Sequence, residues 1–205
     1  MIYQTHDKLA DKHGLSIKGH IKIYDPYTKE VFIDKPNAIH YENFSLVMAN
    51  SLSGQGIGIT EMCFGTGGTR IDDTGIITYL TPNAIDTGAS LYNQTYVKEV
   101  DSNLPGDLNP AKTYMQVRHA PGAYYSDILV SCYLDYGEPA GEQAFANDSS
   151  LNGTYTFDEL GLRTYGANGP GTGLLLTHVI FHPVQKSLNR TIQIDYTIRV
   201  QSLTS

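Results

Sequence analysis

The chain has 205 residues, with 14 Lys and Arg against 21 Asp and Glu, for a net charge of −7. Its basic residues are scattered, with no basic stripe to draw a phosphate backbone, so nucleic acid is not an expected partner. Its two cysteines, Cys63 and Cys132, lie far apart and exclude a disulfide framework or a zinc ribbon, and no apolar run approaches the ~20 residues of a membrane-spanning helix.

Residues 1–13 (MIYQTHDKLADKH) are polar and without period. They read as an extended arm, of the kind ordered when a neighbour receives it. They also lack the apolar stretch of a secretory signal, so assembly in a cytoplasm is expected. "GLSIKGHIKIYD" alternates Leu15, Ile17, Ile21 and Ile23 with Lys18, His20 and Lys22, the mark of a half-buried strand. Pro26 then suits the second position of a turn, and "VFID" returns to complete a hairpin over 15–34. "NAIHYENFSLVMANSLSG" carries Tyr41, Phe44, Val47, Met48 and Leu52 at helical spacing, with Gly54 where a C-terminal cap belongs.

"GIGITEMCF" follows as a strand into the glycine turn "GTGGT". After it "GIITYL", "SLYNQTYVKEV", "TYMQVRHA" and "YYSDILVSCYLDYG" read as strands, the last with Ile128, Val130, Cys132, Leu134 and Tyr136 on one face. "YTFDELGL" is a short strand and "LLLTHVIFHP" a more fully apolar one. "RTIQIDYTIRVQS" alternates Ile192, Ile194, Tyr196, Ile198 and Val200 against Thr191, Gln193, Asp195, Thr197 and Arg199. A one-residue slip there would bury the polar set, so its register should be firmly set. Eight or nine strands and one helix predict a mainly β fold: an antiparallel β-sandwich or jelly-roll-like barrel. The helix is expected over about 41–53, and the single domain over 14–205, with long loops near 137–154 and 164–173.

A search for chemistry assigns no catalytic, cofactor or metal residue. The turn Gly65-Thr66-Gly67-Gly68 lacks the lysine, hydroxyl and following helix of a phosphate loop, and Asp72 and Asp73 come next. "DSNLPGDLNPAK" has Asp101, Asn103 and Gly106 at calcium-loop positions 1, 3 and 6, but Pro105 at position 5 and Lys112 where a bidentate Glu is required. His178 and His182, four residues apart on a strand, stand ~13 Å from each other and cannot share a metal. They read as polar positions on a strand face. Carboxylate pairs such as Asp72/Asp73 and Asp158/Glu159 carry no signal of their own. Cys63 and Cys132 sit in strands, with no helix N-terminus to activate them.

Three segments taken in order resemble virion structural proteins of tailed bacteriophages. The first is the helix, strand and turn of "NAIHYENFSLVMANSLSG…GIGITEMCFGTGGT". The second is "FDELGL", and the third is a closing hairpin, "LLLTHVIFHPVQKSLNRTIQIDYTIRV". The resemblance implies a non-enzymatic β-sandwich subunit of the neck, collar, tail or baseplate. It would sit in the virion as a symmetric homo-oligomer, touching other virion proteins and copies of itself, with no nucleic acid and no membrane. A capsid decoration protein is the alternative within that class, and a carbohydrate-binding β-sandwich the alternative outside it. Low charge (17%) and 15 Tyr suit a surface covered by partners. The residues expected at partner contacts are Ile2, Tyr3, His6, Leu9, Tyr124 and Tyr125.

Overall fold

The computed structural model describes residues 14–101, 112–139 and 154–203. The expected arm over 1–13, with Ile2, Tyr3, His6 and Leu9, lies outside the described residues, as do the centre of the "DSNLPGDLNPAK" segment and most of the loop near 137–154.

Among the described residues, eleven strands and one helix follow in chain order: β1 (Gly14–Tyr24), β2 (Val31–Ile39), α1 (Tyr41–Leu52), β3 (Glu61–Gly65), β4 (Thr69–Ile71), β5 (Ile77–Tyr79), β6 (Gln94–Glu99), β7 (Tyr114–His119), β8 (Tyr125–Leu134), β9 (Thr154–Arg163), β10 (Thr177–Ser187) and β11 (Ile192–Leu203). Nine of them form one antiparallel sheet in the order β6-β3-β9-β10-β2-β1-β11-β8-β7, and β4 and β5 form a separate hairpin. The sheet curls into a half-barrel, so the expected mainly β, sandwich- or barrel-like class holds.

The alternation in β11 sets this architecture. Ile192, Ile194, Tyr196 and Ile198 are fully buried, and β11 pairs with β1 from Gly14↔Leu203 to Tyr24↔Gln193. Its other edge pairs with β8 from Ile192↔Leu134 to Gln201↔Tyr125. The inner faces of these strands meet Phe64, Phe157, Leu160 and Phe181 from the far half of the sheet in one core. Phe157 packs edge-on against both Phe64 and Phe181, at centroid distances of 5.4 and 5.7 Å, the geometry that aromatic quadrupoles favour.

Three expectations need correction. The segment read as a closing hairpin is not one: β10 pairs with β9 and β2, while β11 pairs with β1 and β8. The link between them passes from one half of the sheet to the other. β10 also begins later than expected and runs through Pro183 to Ser187. It tolerates the proline because its register with β9 shifts between Ile180 and Val184, so no ladder bond is asked of an absent N–H. Finally, the strand expected from Gly56 begins only at Glu61, and β4 adds a short strand directly after the glycine turn.

The helix matches its pattern in part. Phe44 and Val47 are buried, but Tyr41 and Leu52 are 63% and 86% exposed. Its C-terminus is a Schellman cap: the Gln55 N–H donates to Asn50 C=O and the Gly54 N–H to Ser51 C=O, with Gly54 at φ +81°. At the other end the His40 ring caps the helix. Its Nδ1 accepts the Asn43 N–H at 3.2 Å, and its Nε2 lies 2.8 Å from the Asp86 carbonyl. That geometry uses Nε2 as the donor.

Candidate functional site

Among the described residues a dense polar construction joins two segments that the sequence places 90 residues apart. β9 presents consecutive acids, Asp158 and Glu159, both buried. The glycine turn after β3 folds over them. One Glu159 oxygen accepts the N–H groups of Gly67 (3.1 Å) and Asn93 (2.8 Å). The other accepts the Tyr92 N–H (3.0 Å) and His178 Nε2–H (2.9 Å). Asp158 takes the N–H groups of Gly68 (2.9 Å) and Thr69 (2.8 Å), and the Thr69 hydroxyl as well. The turn is therefore an anion cradle, and the anions it holds are the chain's own carboxylates.

Close approach explains the glycines, rather than positive φ. A Cβ on Gly65 would lie 2.5 Å from Glu159 Oε1 and 2.6 Å from the Asn93 carbonyl oxygen. On Gly67 it would lie 2.8 Å from the Asn93 nitrogen, and on Gly68 2.9 Å from Ile180 Cγ2. No side chain fits between turn and acids.

The two carboxyls are driven in opposite directions. Burial pushes Glu159 up, but the hydrogen bonds from His178, Asn93 and Tyr92 outweigh it, and the group titrates below the ordinary glutamate range. Burial dominates at Asp158, whose pKa is raised despite the bonds from Thr69 and Gly68. His178 is a polar position on a strand, as expected, and the face it occupies is fully buried. Its Nδ1 accepts the Asn83 N–H at 2.8 Å, so Nε2 must carry the proton that meets Glu159. His182 is exposed and faces the Tyr79 hydroxyl at 3.4 Å. The two histidines belong to different environments. The signal for the cradle was present in "FDELGL", two acids set within an otherwise apolar strand, but their partners were not.

The other reactive groups are closed off. Cys63 and Cys132 are fully buried, and burial raises both thiols to about 12. Arg163 donates to the Gly173 carbonyl and to Ser90 Oγ, both at 2.6 Å. Among the described residues no group of three or more His, Cys, Asp or Glu is placed to hold a metal ion.

At the surface, Tyr124 is exposed, while Tyr125 is partly covered by the Arg199 guanidinium 3.9 Å above its ring. Arg199 is itself held by both Asp127 oxygens at 2.7 and 2.8 Å. Of these two expected contact residues, only Tyr124 is left largely open. The sequence reading missed a groove between α1 and the inner face of β7, β8 and β11. It encloses about 320 Å³ and is lined by Phe44, Met48, Met115, Val117, Ile128 and Val200 among others. Alternation marks each of these strands as half-buried, but nothing in the pattern shows that the cover stops short of their ends.

No protein family matches the chain, and no curated protein or solved structure matches it.

Proposed function

We propose that the chain is a non-enzymatic structural subunit of a tailed-phage virion, of the neck, collar, tail or baseplate, acting by protein–protein contact in a homo-oligomer. The observation that carries this reading is the display of large apolar side chains at the surface: Leu52 and Ile85 are each 86% exposed, Val117 68% and Tyr124 67%. Leu52 and Val117 line one apolar groove, and an open apolar patch of that kind supports reading an interaction surface. The assignment to a virion rests on the resemblance of the three segments. Two of them, the helix–strand–turn and "FDELGL", form one unit through the cradle, which supports reading them together. The buried acid–histidine pair gives no competing site, because every donor and acceptor on it is already engaged within the chain.

The test is the oligomeric state of the purified full chain, by sedimentation velocity and native mass spectrometry. A discrete homo-oligomer at micromolar concentration is the expected result. A monomer that instead binds immobilised glycans would refute the reading in favour of a carbohydrate-binding module.

A further inference from the structure

The inner faces of β1, β11, β8 and β7 carry one continuous apolar surface. The register places Ile17 beside Val200, Ile198 beside Ile128, and Ile128 beside Val117. Toward the Gly14 end this surface outruns its cover. Ile21 and Ile198 are fully buried, but Leu15 is 60% and Val117 68% exposed. Helix α1 bridges part of the gap with Phe44, Val47 and Met48, and leaves the groove of about 320 Å³ beside it. The Ser51 hydroxyl at its rim donates to the Ile57 carbonyl. A small ligand would find little there to orient it, since pockets for small molecules set orientation with a few placed polar groups. β7 forms one edge of the sheet, with β8 as its only partner among the described residues. An extended segment lying along β7 would meet a hydrogen-bonding edge that no other described strand pairs with, and an apolar groove beside it, the setting of strand addition.

We propose that this edge and groove receive the N-terminal segment, around Tyr3 to Leu9, of a second copy of the chain. The inference rests on the oligomeric reading above. In an extended chain Tyr3 and Leu9 lie on the same face, ~20 Å apart, about the length of a six-residue strand such as β7. The chain's own segment is poorly sited for the task. β7 lies three strands from β1, a span of ~14 Å across the sheet. The five steps from Gly14 back to Leu9 reach only ~17 Å when fully extended. That length would have to cover both the crossing and a reversal of direction at Gly14. A neighbour's segment enters without either.

Disulfide trapping in full-length chains tests this. Tyr3→Cys or Leu9→Cys in one chain is mixed with Val117→Cys in another and oxidised mildly. Cys63 and Cys132 are buried and do not compete. The expected product is a disulfide-linked pair of chains, formed in the mixture from at least one of the two N-terminal positions. Val117→Asp, at an exposed position that leaves the core intact, is expected to weaken self-association by about tenfold or more, ~1.4 kcal/mol. The inference is overturned by absence of a link from both positions. It is equally overturned by an intramolecular link in a Tyr3→Cys/Val117→Cys double variant, or by an apolar small molecule retained in the groove in native mass spectrometry. An oligomer that persists without any link sinks this inference alone, whereas a monomeric wild type sinks the oligomeric reading with it.

Discussion

Lys186 is fully buried on β10, and its ammonium donates to the Ser187 carbonyl at 3.0 Å. Glu138, the acid that acts on it most strongly, is engaged elsewhere: it takes Lys98 Nζ and the Asp135 N–H. Burial is the largest influence on Lys186 and lowers its pKa to about 8, against the pull of Glu138 and Asp135. A lysine that binds its proton less tightly when folded costs stability at neutral pH. That cost falls as pH rises from about 8 toward the ordinary lysine value of 10.5. The thiols of Cys63 and Cys132, raised to about 12, pull the other way above ~9, since the unfolded chain loses those protons first. The lysine is therefore isolated by difference. Lys186→Met is expected to stabilise the protein at pH 7 by about 1–3 kcal/mol, and the gap to wild type to narrow between pH 8 and 10. Urea titrations at three pH values measure it. A gap that is constant with pH would show that Lys186 is not titrating in this range.

At the level of elements, the glycine turn is the joint on which β3, β6 and β9 depend. Gly65 pairs with Glu159 on one side and Gln94 on the other, and its Cβ position is already occupied by a carboxylate and a carbonyl oxygen. Gly65→Ala must displace one or the other, so a loss of about 1–3 kcal/mol is expected, or several degrees in Tm. Gly88→Ala is the control, since its Cβ would meet only Asp86 Oδ1, at 3.8 Å. If the two variants melt together, close approach is not why glycine stands at position 65. What could be read from sequence follows the same physics. Strands β1 and β11 were legible because one face is buried and one wet along a single chain segment. The Gly54 cap was legible because a left-handed residue must end that helix. The backbone partners of Asp158 and Glu159 were not, because N–H groups carry no residue signature and these lie more than 60 residues away. The separation of β10 from β11 was hidden for a related reason: alternation specifies which face of a strand is buried, not which strand lies beside it.

The whole sheet is joined at a narrow seam. β2 and β10 pair at only Thr177↔Ile39 and His178↔Ala38, whereas the strands on either side are laced along most of their lengths. Around the seam the His40 N–H donates to the Leu176 carbonyl and Asn43 Nδ2 to the Leu175 carbonyl, both at 2.9 Å, tying α1 to the start of β10. His178, which also pairs with Ala38 across the seam, is fastened to Glu159, so the cradle ties β3, β9 and β10 to one another up to the seam strand. Glu159→Gln keeps the shape but removes the charge and turns an N–H toward groups that are themselves donors. The expected loss is about 3 kcal/mol, and its distribution matters more than its size. Hydrogen exchange should quicken in β3, β9 and β10 while β1, β8 and β11 keep their protection, because local opening follows the elements whose contacts are lost. Acid should reproduce the same pattern in the wild type. The Glu159 carboxyl is held below its ordinary value, so its contribution is complete above that value and is lost as pH falls through the depressed one. Selective loosening of the cradle half should thus appear only below the ordinary glutamate range of about 4.3. A uniform rise in exchange across all nine strands, in the variant or in acid, would mean that the sheet unfolds as one unit and that the seam has no mechanical role.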